Sequence, residues 1–107
     1  MSIRCEKDWL SRADTGDLHG HMGVFQLGNE AGEVLFIGYA GGRSLFGLKG
    51  EIQSEFERLA DASCYRFEIN TAYLSRYQEL LMVHVADYGV LPPHNDEPVP
   101  KLGRLSP

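Results

Sequence analysis

The stretch GVFQLGNEAGEVLFIGY, residues 23–39, decides the fold. Two apolar runs, 23–27 and 33–39, flank residues 28–32, which are rich in types that tolerate a positive φ angle. This arrangement predicts a β-hairpin, because two strand-like runs joined by a short turn pair with each other. The second run is apolar at nearly every position, which predicts a strand buried on both faces.

A loop and an amphipathic helix are predicted after the hairpin. Residues 40–44 form a glycine-rich loop, and Ser44 is a plausible cap for the helix that follows. Apolar residues then recur at spacings of four, four and three, as on one face of a helix: Leu48, Ile52, Phe56 and Leu59. The helix is predicted to end near Asp61.

A third strand and a second helix complete the predicted core. Residues 63–70 alternate, with Tyr65, Phe67 and Ile69 on one side, as in a half-buried strand. Thr71 is the predicted cap of the second helix, and Gly89 its terminator. The predicted packing face of this helix comprises Leu74, Tyr77, Leu81, Val85 and Tyr88.

The order of elements predicts an α+β fold, a small three-stranded antiparallel sheet flanked by helices. A short helix over residues 4–13 is also predicted, followed by a turn at 14–17. We divide the chain into an N-terminal segment, 1–19, a domain, 20–95, and a proline-rich tail, 96–107.

Length and composition favour one globular domain without a membrane span. The 107 residues are 43% hydrophobic and 23% charged, and no apolar run approaches the roughly 20 residues that cross a bilayer. The first residues contain no apolar run typical of a secretory signal. Two cysteines, Cys5 and Cys64, are expected to be reduced, with Cys64 buried on a strand. The sequence therefore predicts a cytoplasmic protein.

The charge distribution argues against a strong nucleic-acid partner. The net charge is −5, from ten basic and fifteen acidic residues, and half of the basic residues lie near the two ends. Nucleic-acid binding draws much of its affinity from cations that neutralise phosphates. Weak nucleic-acid binding at most is therefore predicted, the partner is unknown, and a protein partner stays open.

Two sets of polar residues are candidate sites. Gly41, Gly42, Arg43 and Ser44 precede a predicted helix and could bind an anion through backbone N–H groups and the helix dipole. Such a glycine-rich loop more often forms only a turn, and this one lacks the lysine of a P-loop. Four histidines, His19, His21, His84 and His94, could ligate a metal, although surface or turn positions are the more common role of such histidines.

The hairpin resembles the paired motif of the GIY-YIG nuclease family. Gly23-Val24-Phe25 and Phe36-Ile37-Gly38 are ten residues apart, and the element order over 20–95 is similar to the core of that family. Pro92-Pro93-His94-Asn95 is similar to its closing segment, which ends in asparagine. The degenerate motif positions are Gly23, Phe25, Phe36, Gly38 and Asn95.

The resemblance implies a fold without the family's chemistry. Family members hydrolyse phosphodiesters with one divalent metal, a motif tyrosine, an arginine and a helical glutamate. Phe25 and Phe36 replace the tyrosines and carry no oxygen. Arg43 lies before the arginine position, near residue 46, and Glu79 before the glutamate position, near residues 83–84. Tyr39 would face away from Gly38 on a strand.

Three functions follow from these departures. The first is a catalytically degenerate domain that acts as a binding or interaction module without a cofactor. The second is a divergent nuclease that uses Arg43, Glu79 and His84 with Mg²⁺ or Mn²⁺. The third is a metal-binding or structural accessory protein.

Overall fold

The computed structural model describes residues 7–18, 20–42, 44 and 46–95. The strands are β1 (Leu10–Ser11), β2 (Gly23–Gly28), β3 (Val34–Ala40) and β4 (Cys64–Ile69). The α-helices are α1 (Gly47–Arg58) and α2 (Tyr73–Tyr88), and 3₁₀ helices span Arg12–Asp17 and Pro93–Asn95. The strands form one antiparallel sheet in the order β1-β4-β2-β3, which confirms the predicted α+β class.

The sheet has a fourth strand that the sequence did not reveal. Leu10 and Ser11 pair with Tyr65 and Cys64 of β4, and a 3₁₀ helix follows directly. The predicted helix over 4–13 is therefore wrong where the structure describes it. Pairing with the edge of β4 satisfies the backbone of residues 10–11 and overrides a weak local preference for helix.

The predicted hairpin is confirmed, and it contains a bulge. Leu27 pairs with Phe36, but the neighbouring Gly28 pairs with Val34, so Leu35 is an extra residue in β3. Leu35 consequently belongs to the same hydrophobic cluster as Phe25. Among the described residues, β3 is the outer strand of the sheet on this side, and one of its edges has no neighbouring strand there.

The two α-helices pack on opposite faces of the sheet. Phe25 and Leu27 belong to one cluster with the apolar residues of α1, whereas Val24 belongs to a second cluster with Leu80 of α2. Successive strand residues point to opposite faces, so these memberships place the sheet between the helices. Of the alternating residues on β4, Tyr65 is buried as predicted, but Ile69 at the strand end is exposed.

Neither predicted helix cap is correct. α1 begins only at Gly47, and the Ser44 hydroxyl instead accepts a hydrogen bond from the Gly41 N–H. The Leu48 N–H donates to the carbonyl of His21, a tertiary partner that the sequence does not reveal. At α2, the side chain of Asn70 rather than Thr71 accepts from a backbone N–H, that of Ala72.

The packing face predicted for α2 is wrong in part. Leu74, Val85 and Tyr88 are exposed, while Arg76 and Leu80 are buried. Ion pairs of Arg76 with Glu68 and Glu79 accompany this orientation. Gly89 ends the helix as predicted, with a φ of 80°.

Cys64 is partly buried rather than fully buried, because it lies on β4 next to the short strand β1. Desolvation raises the pKa of its thiol. Cys5 and the tail 96–107 lie outside the described residues. Among the described helices, none is long and apolar enough to cross a membrane.

Candidate functional site

A cleft of about 780 Å³ opens along the free edge of β3. β3 and the loop after it, α1, α2 and the 3₁₀ helix Pro93–Asn95 all contribute to its walls. Clefts of about 300–1,000 Å³ are typical of sites for small organic ligands. Because α1 and α2 lie on opposite faces of the sheet, the cleft extends around the edge of β3 and is lined by residues of both helices.

The floor of the cleft consists of the two motif phenylalanines and a glycine. The rings of Phe25 and Phe36 lie 6.0 Å apart between centroids. A Cβ on Gly38 would lie 2.5 Å from Cζ of Phe25 and 2.8 Å from Cε2 of Phe36, so both rings need a glycine there. Phe25 is 1% exposed and Phe36 is partly buried. Because phenylalanine and glycine have no side-chain oxygen or nitrogen, the floor of the cleft offers no side-chain hydrogen-bonding group.

The other motif positions have structural roles. A Cβ on Gly23 would lie 2.1 Å from the Glu68 carbonyl oxygen, so only glycine allows β2 to approach β4 this closely. The Asn95 side chain accepts from the Ile37 N–H at 2.7 Å and donates to the Ile37 carbonyl at 2.9 Å. Asn95 thereby satisfies backbone groups on the free edge of β3 and fixes the rim of the cleft.

Three tyrosines form an aromatic wall. The Tyr39 ring stacks on Tyr73 at 5.7 Å and meets Tyr77 edge-on at 4.9 Å. Burial raises the pKa of the Tyr77 phenol. Tyr39 packs with α2 while Gly38 contacts the phenylalanines, so the two face opposite sides as predicted. Tyr39 is 40% exposed and thus offers ring surface to the cleft.

The charged groups of the cleft come mainly from α1. Glu51, Glu55 and Arg58 line it, and the Arg58 Nε lies 2.8 Å from a Glu55 carboxylate oxygen. The Arg58 guanidinium also lies over the Phe36 ring, 5.5 Å from its centroid. The Arg58 guanidinium is thus held at the cleft by the Glu55 carboxylate and by the face of the Phe36 ring.

A histidine and an aspartate meet at the cleft. The His94 Nε2 lies 3.1 Å from a carboxylate oxygen of Asp61, and His94 lines the cleft. This hydrogen bond lowers the pKa of the Asp61 carboxyl, against a smaller opposing effect of burial. An ionised carboxylate is therefore favoured behind the His94 ring.

The loop proposed to bind an anion uses its own N–H groups. The Gly41 N–H donates to the Ser44 hydroxyl at 3.0 Å, and the Gly42 N–H to the Tyr73 hydroxyl at 3.2 Å. The Ser44 N–H donates to the Gly41 carbonyl at 3.0 Å. Arg43 lies outside the described residues. Three of the four N–H groups on which the anion hypothesis relied, those of Gly41, Gly42 and Ser44, thus already have protein acceptors.

The structure does not bring the other catalytic candidates to the cleft. The Glu79 carboxylate pairs with Arg76, and the His84 Nδ1 lies 2.8 Å from the Val90 carbonyl oxygen. Neither residue lines the cleft beside Phe25 and Phe36. Five residues separate Glu79 from His84, about 140° around a helix of 3.6 residues per turn.

The histidines do not converge in the described part of the chain. His21 is exposed, and His19 lies outside the described residues. Within residues 7–18, 20–42, 44 and 46–95, no three His, Cys, Asp or Glu side chains are grouped to hold a metal ion.

Sequence comparison places the chain in a family. A family model described as a domain of unknown function, DUF7508, matches residues 1–87. The chain belongs to this family. No curated protein matches the sequence. The DUF7508 match covers the hairpin, α1, β4 and nearly all of α2, and it ends before His94 and Asn95 at the rim of the cleft.

Sequence reasoning missed most of the cleft of this DUF7508 domain. Tyr73 and Tyr77 are four residues apart, a spacing that places aromatic rings on one helix face and could have marked a wall. Glu51 and Glu55 lie off the apolar stripe of α1, where side chains ordinarily face solvent, and yet they border the cleft. The Asp61–His94 pair carries no sequence signal, because 33 residues separate its members.

Proposed function

We propose that this DUF7508 domain is a catalytically degenerate GIY-YIG-like binding module that holds its ligand in the cleft along β3. One observation carries the proposal: a cleft of ligand size has a floor of Phe25, Phe36 and Gly38. Apolar and aromatic surface with a few polar groups at the rim is typical of sites that bind small molecules, and the three floor residues carry no side-chain group that could react.

The rim supports the same conclusion. Tyr39 and Leu74 line the cleft although they are 40% and 52% exposed. Exposed apolar groups gathered in one concavity favour binding, since a ligand would remove them from water. Asn95 and the Tyr73 hydroxyl hold the backbone at two points of the rim, which fixes the shape of the cleft mouth.

No observation on the described residues favours the two alternatives. A nuclease built on Glu79 and His84 would require both groups beside the floor phenylalanines. The Glu79 carboxylate pairs with Arg76 instead, and the His84 ring packs 4.6 Å from Tyr88. The accessory-protein alternative rests on histidines that do not gather among the described residues.

A cleft-blocking variant tests the binding role. A Cβ at Gly42 meets no heavy atom within 4 Å, so Gly42→Leu should fill cleft space without disturbing the fold. Gly16→Leu is the matched control, because Gly16 has the same free space but lies outside the cleft. Small organic fragments would be screened by ¹H–¹⁵N NMR against the wild type and both variants.

We expect fragments to shift the amides of Tyr39, Gly41 and Glu51, and we expect only Gly42→Leu to abolish these shifts. Fragment binding that is confined to other surfaces, or that survives Gly42→Leu, would contradict the proposal.

A cleavage assay tests the nuclease alternative. The purified protein would be incubated with Mg²⁺ or Mn²⁺ and with branched, single-stranded or duplex DNA. We expect no cleavage, because removal of a single catalytic group already costs about 10²–10⁴ in rate. Cleavage that Glu79→Ala abolishes would replace the binding module with the divergent nuclease.

A further inference from the structure

We infer that the cleft recognises an organic cation, the guanidinium or ammonium group of a small amine or of a basic side chain. The inference rests on the proposed binding function and adds the chemical class of the ligand. Its basis is that one cleft is lined both by the Glu51 carboxylate of α1 and by the exposed tyrosine wall on the α2 side of the sheet.

The acidic groups at the cleft exceed the basic ones among the described residues. Glu55 and Arg58 pair with each other, which leaves Glu51 as the carboxylate without an ion-pair partner in that part of the chain. A cation entering this space gains Coulomb energy, whereas an anion meets repulsion.

The tyrosine wall supplies the second half of the recognition. Tyr39 stacks on Tyr73 and meets Tyr77 edge-on, so its ring is held in one orientation while 40% of the residue stays exposed. The face of an aromatic ring attracts cations through its quadrupole. A rigid, exposed ring that lines the same cleft as a carboxylate is suited to an alkylammonium or guanidinium group.

The protein already shows this chemistry in the same cleft. The Arg58 guanidinium lies over the Phe36 ring while it pairs with Glu55. An incoming cation would find the same two kinds of group in this cleft, an aromatic ring in Tyr39 and a carboxylate in Glu51. The cleft volume of about 780 Å³ leaves room for a basic side chain together with neighbouring backbone.

The backbone at the cleft loop argues against an anionic ligand. Anion sites built from glycine loops rely on free N–H groups. The N–H groups of Gly41, Gly42 and Ser44 already donate to protein oxygens. The net charge of −5 adds a long-range field that attracts cations and repels anions.

Four probes distinguish the ligand classes and sources. Arginine amide and spermidine represent small amines, and the peptide acetyl-Gly-Arg-Gly-amide represents a basic side chain on a backbone. Inorganic phosphate is the anionic probe. Each would be titrated into the full-length protein and followed by ¹H–¹⁵N NMR at low and high salt.

Two variants and two matched controls locate the site. Glu51→Gln removes the carboxylate charge at nearly constant shape, and Tyr39→Leu removes the aromatic face but keeps an apolar side chain. Glu57→Gln is the control on the same helix, because Glu57 is exposed and outside the cleft. Tyr88→Leu is the aromatic control, since Tyr88 is 70% exposed and lies at the far end of α2.

We expect the cationic probes to bind in the millimolar range, with shifts at the amides that border Tyr39 and Glu51. Glu51→Gln should weaken this binding about three- to tenfold, and Tyr39→Leu about two- to fivefold. Both controls should keep the wild-type affinity. Salt should weaken binding as it screens the carboxylate.

The results separate this inference from the proposed function. If phosphate or uncharged fragments bind the cleft and the cations do not, the ligand class is wrong while the binding module stands. Cation binding that Glu51→Gln and Tyr39→Leu leave unchanged would also overturn the inference. If neither fragments nor any of these probes bind the cleft, both proposals fail. A gain in affinity from arginine amide to the peptide would identify a basic peptide as the source.

Discussion

Helices α1 and α2 each carry an apolar stripe at helical spacing, but the sheet covers the two stripes to different extents. On α1, Leu48, Ile52, Phe56 and Leu59 are all buried in one cluster. On α2, Tyr77 and Leu81 pack partly against the sheet, whereas Leu74, Val85 and Tyr88 are exposed. The same sequence signal thus had two structural outcomes.

An ion pair explains the orientation of α2. The Arg76 side chain is 9% exposed, and its Nε lies 2.9 Å from a Glu68 carboxylate oxygen on β4. A buried guanidinium must keep such partners, so the helix turns its Arg76–Leu80 face toward the sheet. The comparison teaches that apolar spacing predicts a helix reliably, while a single buried charge can decide which face packs.

This orientation also builds the cleft. With Arg76 facing β4, Tyr73 and Tyr77 meet Tyr39 on the free-edge strand, and Leu74 reaches the rim. Had the predicted stripe packed fully against the sheet, Leu74 would have been buried. The exposed half of the stripe is therefore part of the surface from which the candidate site is made.

Removal of an aromatic ring should show the largest difference in stability loss between α1 and α2. We expect Phe56→Ala on α1 to lower the free energy of unfolding by about 3–5 kcal/mol, because Phe56 is buried and leaves a cavity. Tyr88→Ala on α2 should lower it by less than about 1 kcal/mol. Urea denaturation measures both, and similar losses would mean that the stripe of α2 is covered in solution.

Removing the Arg76 charge should break the orientation of α2. We expect Arg76→Met to cost about 1–3 kcal/mol, since Glu68 and Glu79 lose a charged hydrogen-bond donor. Arg58→Met is the control, because Arg58 pairs with Glu55 at an exposed position and such pairs are worth about 0–1 kcal/mol. A smaller loss for Arg76→Met than for Arg58→Met would contradict the role of the ion pair.

The same ion pair should make stability depend on acid pH. The hydrogen bond from Arg76 lowers the pKa of Glu68 from its ordinary value of 4.5. A carboxyl with a lowered folded-state pKa stabilises the protein fully above its unfolded pKa and loses that contribution as pH falls through the folded value. The stability difference between wild type and Glu68→Gln should therefore be present at pH 7 and shrink below about pH 4.5. A constant difference from pH 7 to pH 3 would refute the linkage.

The smallest expected effect lies on the exposed stripe. Val85 is 40% exposed, so we expect Val85→Gln to change the free energy of unfolding by less than about 0.5 kcal/mol. Ile52→Val on α1 is a gentler substitution chemically but should cost about 0.5–1.5 kcal/mol, because Ile52 is buried. Thermal unfolding measures both stability losses. A larger loss for Val85→Gln than for Ile52→Val would mean that the stripe of α2 is not the more exposed of the two.

Much of the fold was predictable because its signals are local. The hairpin follows from two apolar runs around a glycine-rich turn, and α1 follows from the spacing of Leu48, Ile52 and Phe56. The same holds for Gly89, which adopts the left-handed conformation that ends a helix. Less of the site was predictable. The paired motif pointed to Phe25 and Phe36, but no sequence pattern pointed to the tyrosines and acids around them.

The sequence by itself determined the α+β class, the hairpin, and the glycine at position 89 that ends α2. These features depend on backbone geometry and on apolar periodicity, which neighbouring residues encode. Only the tertiary structure decided the pairing of β1, the start of α1, the rotation of α2 and the cleft along β3. Each of these depends on contacts between distant residues, such as Asn95 with Ile37, Asp61 with His94, and Arg76 with Glu68. Their energies arise only when the folded chain brings the partners together, so no local pattern records them.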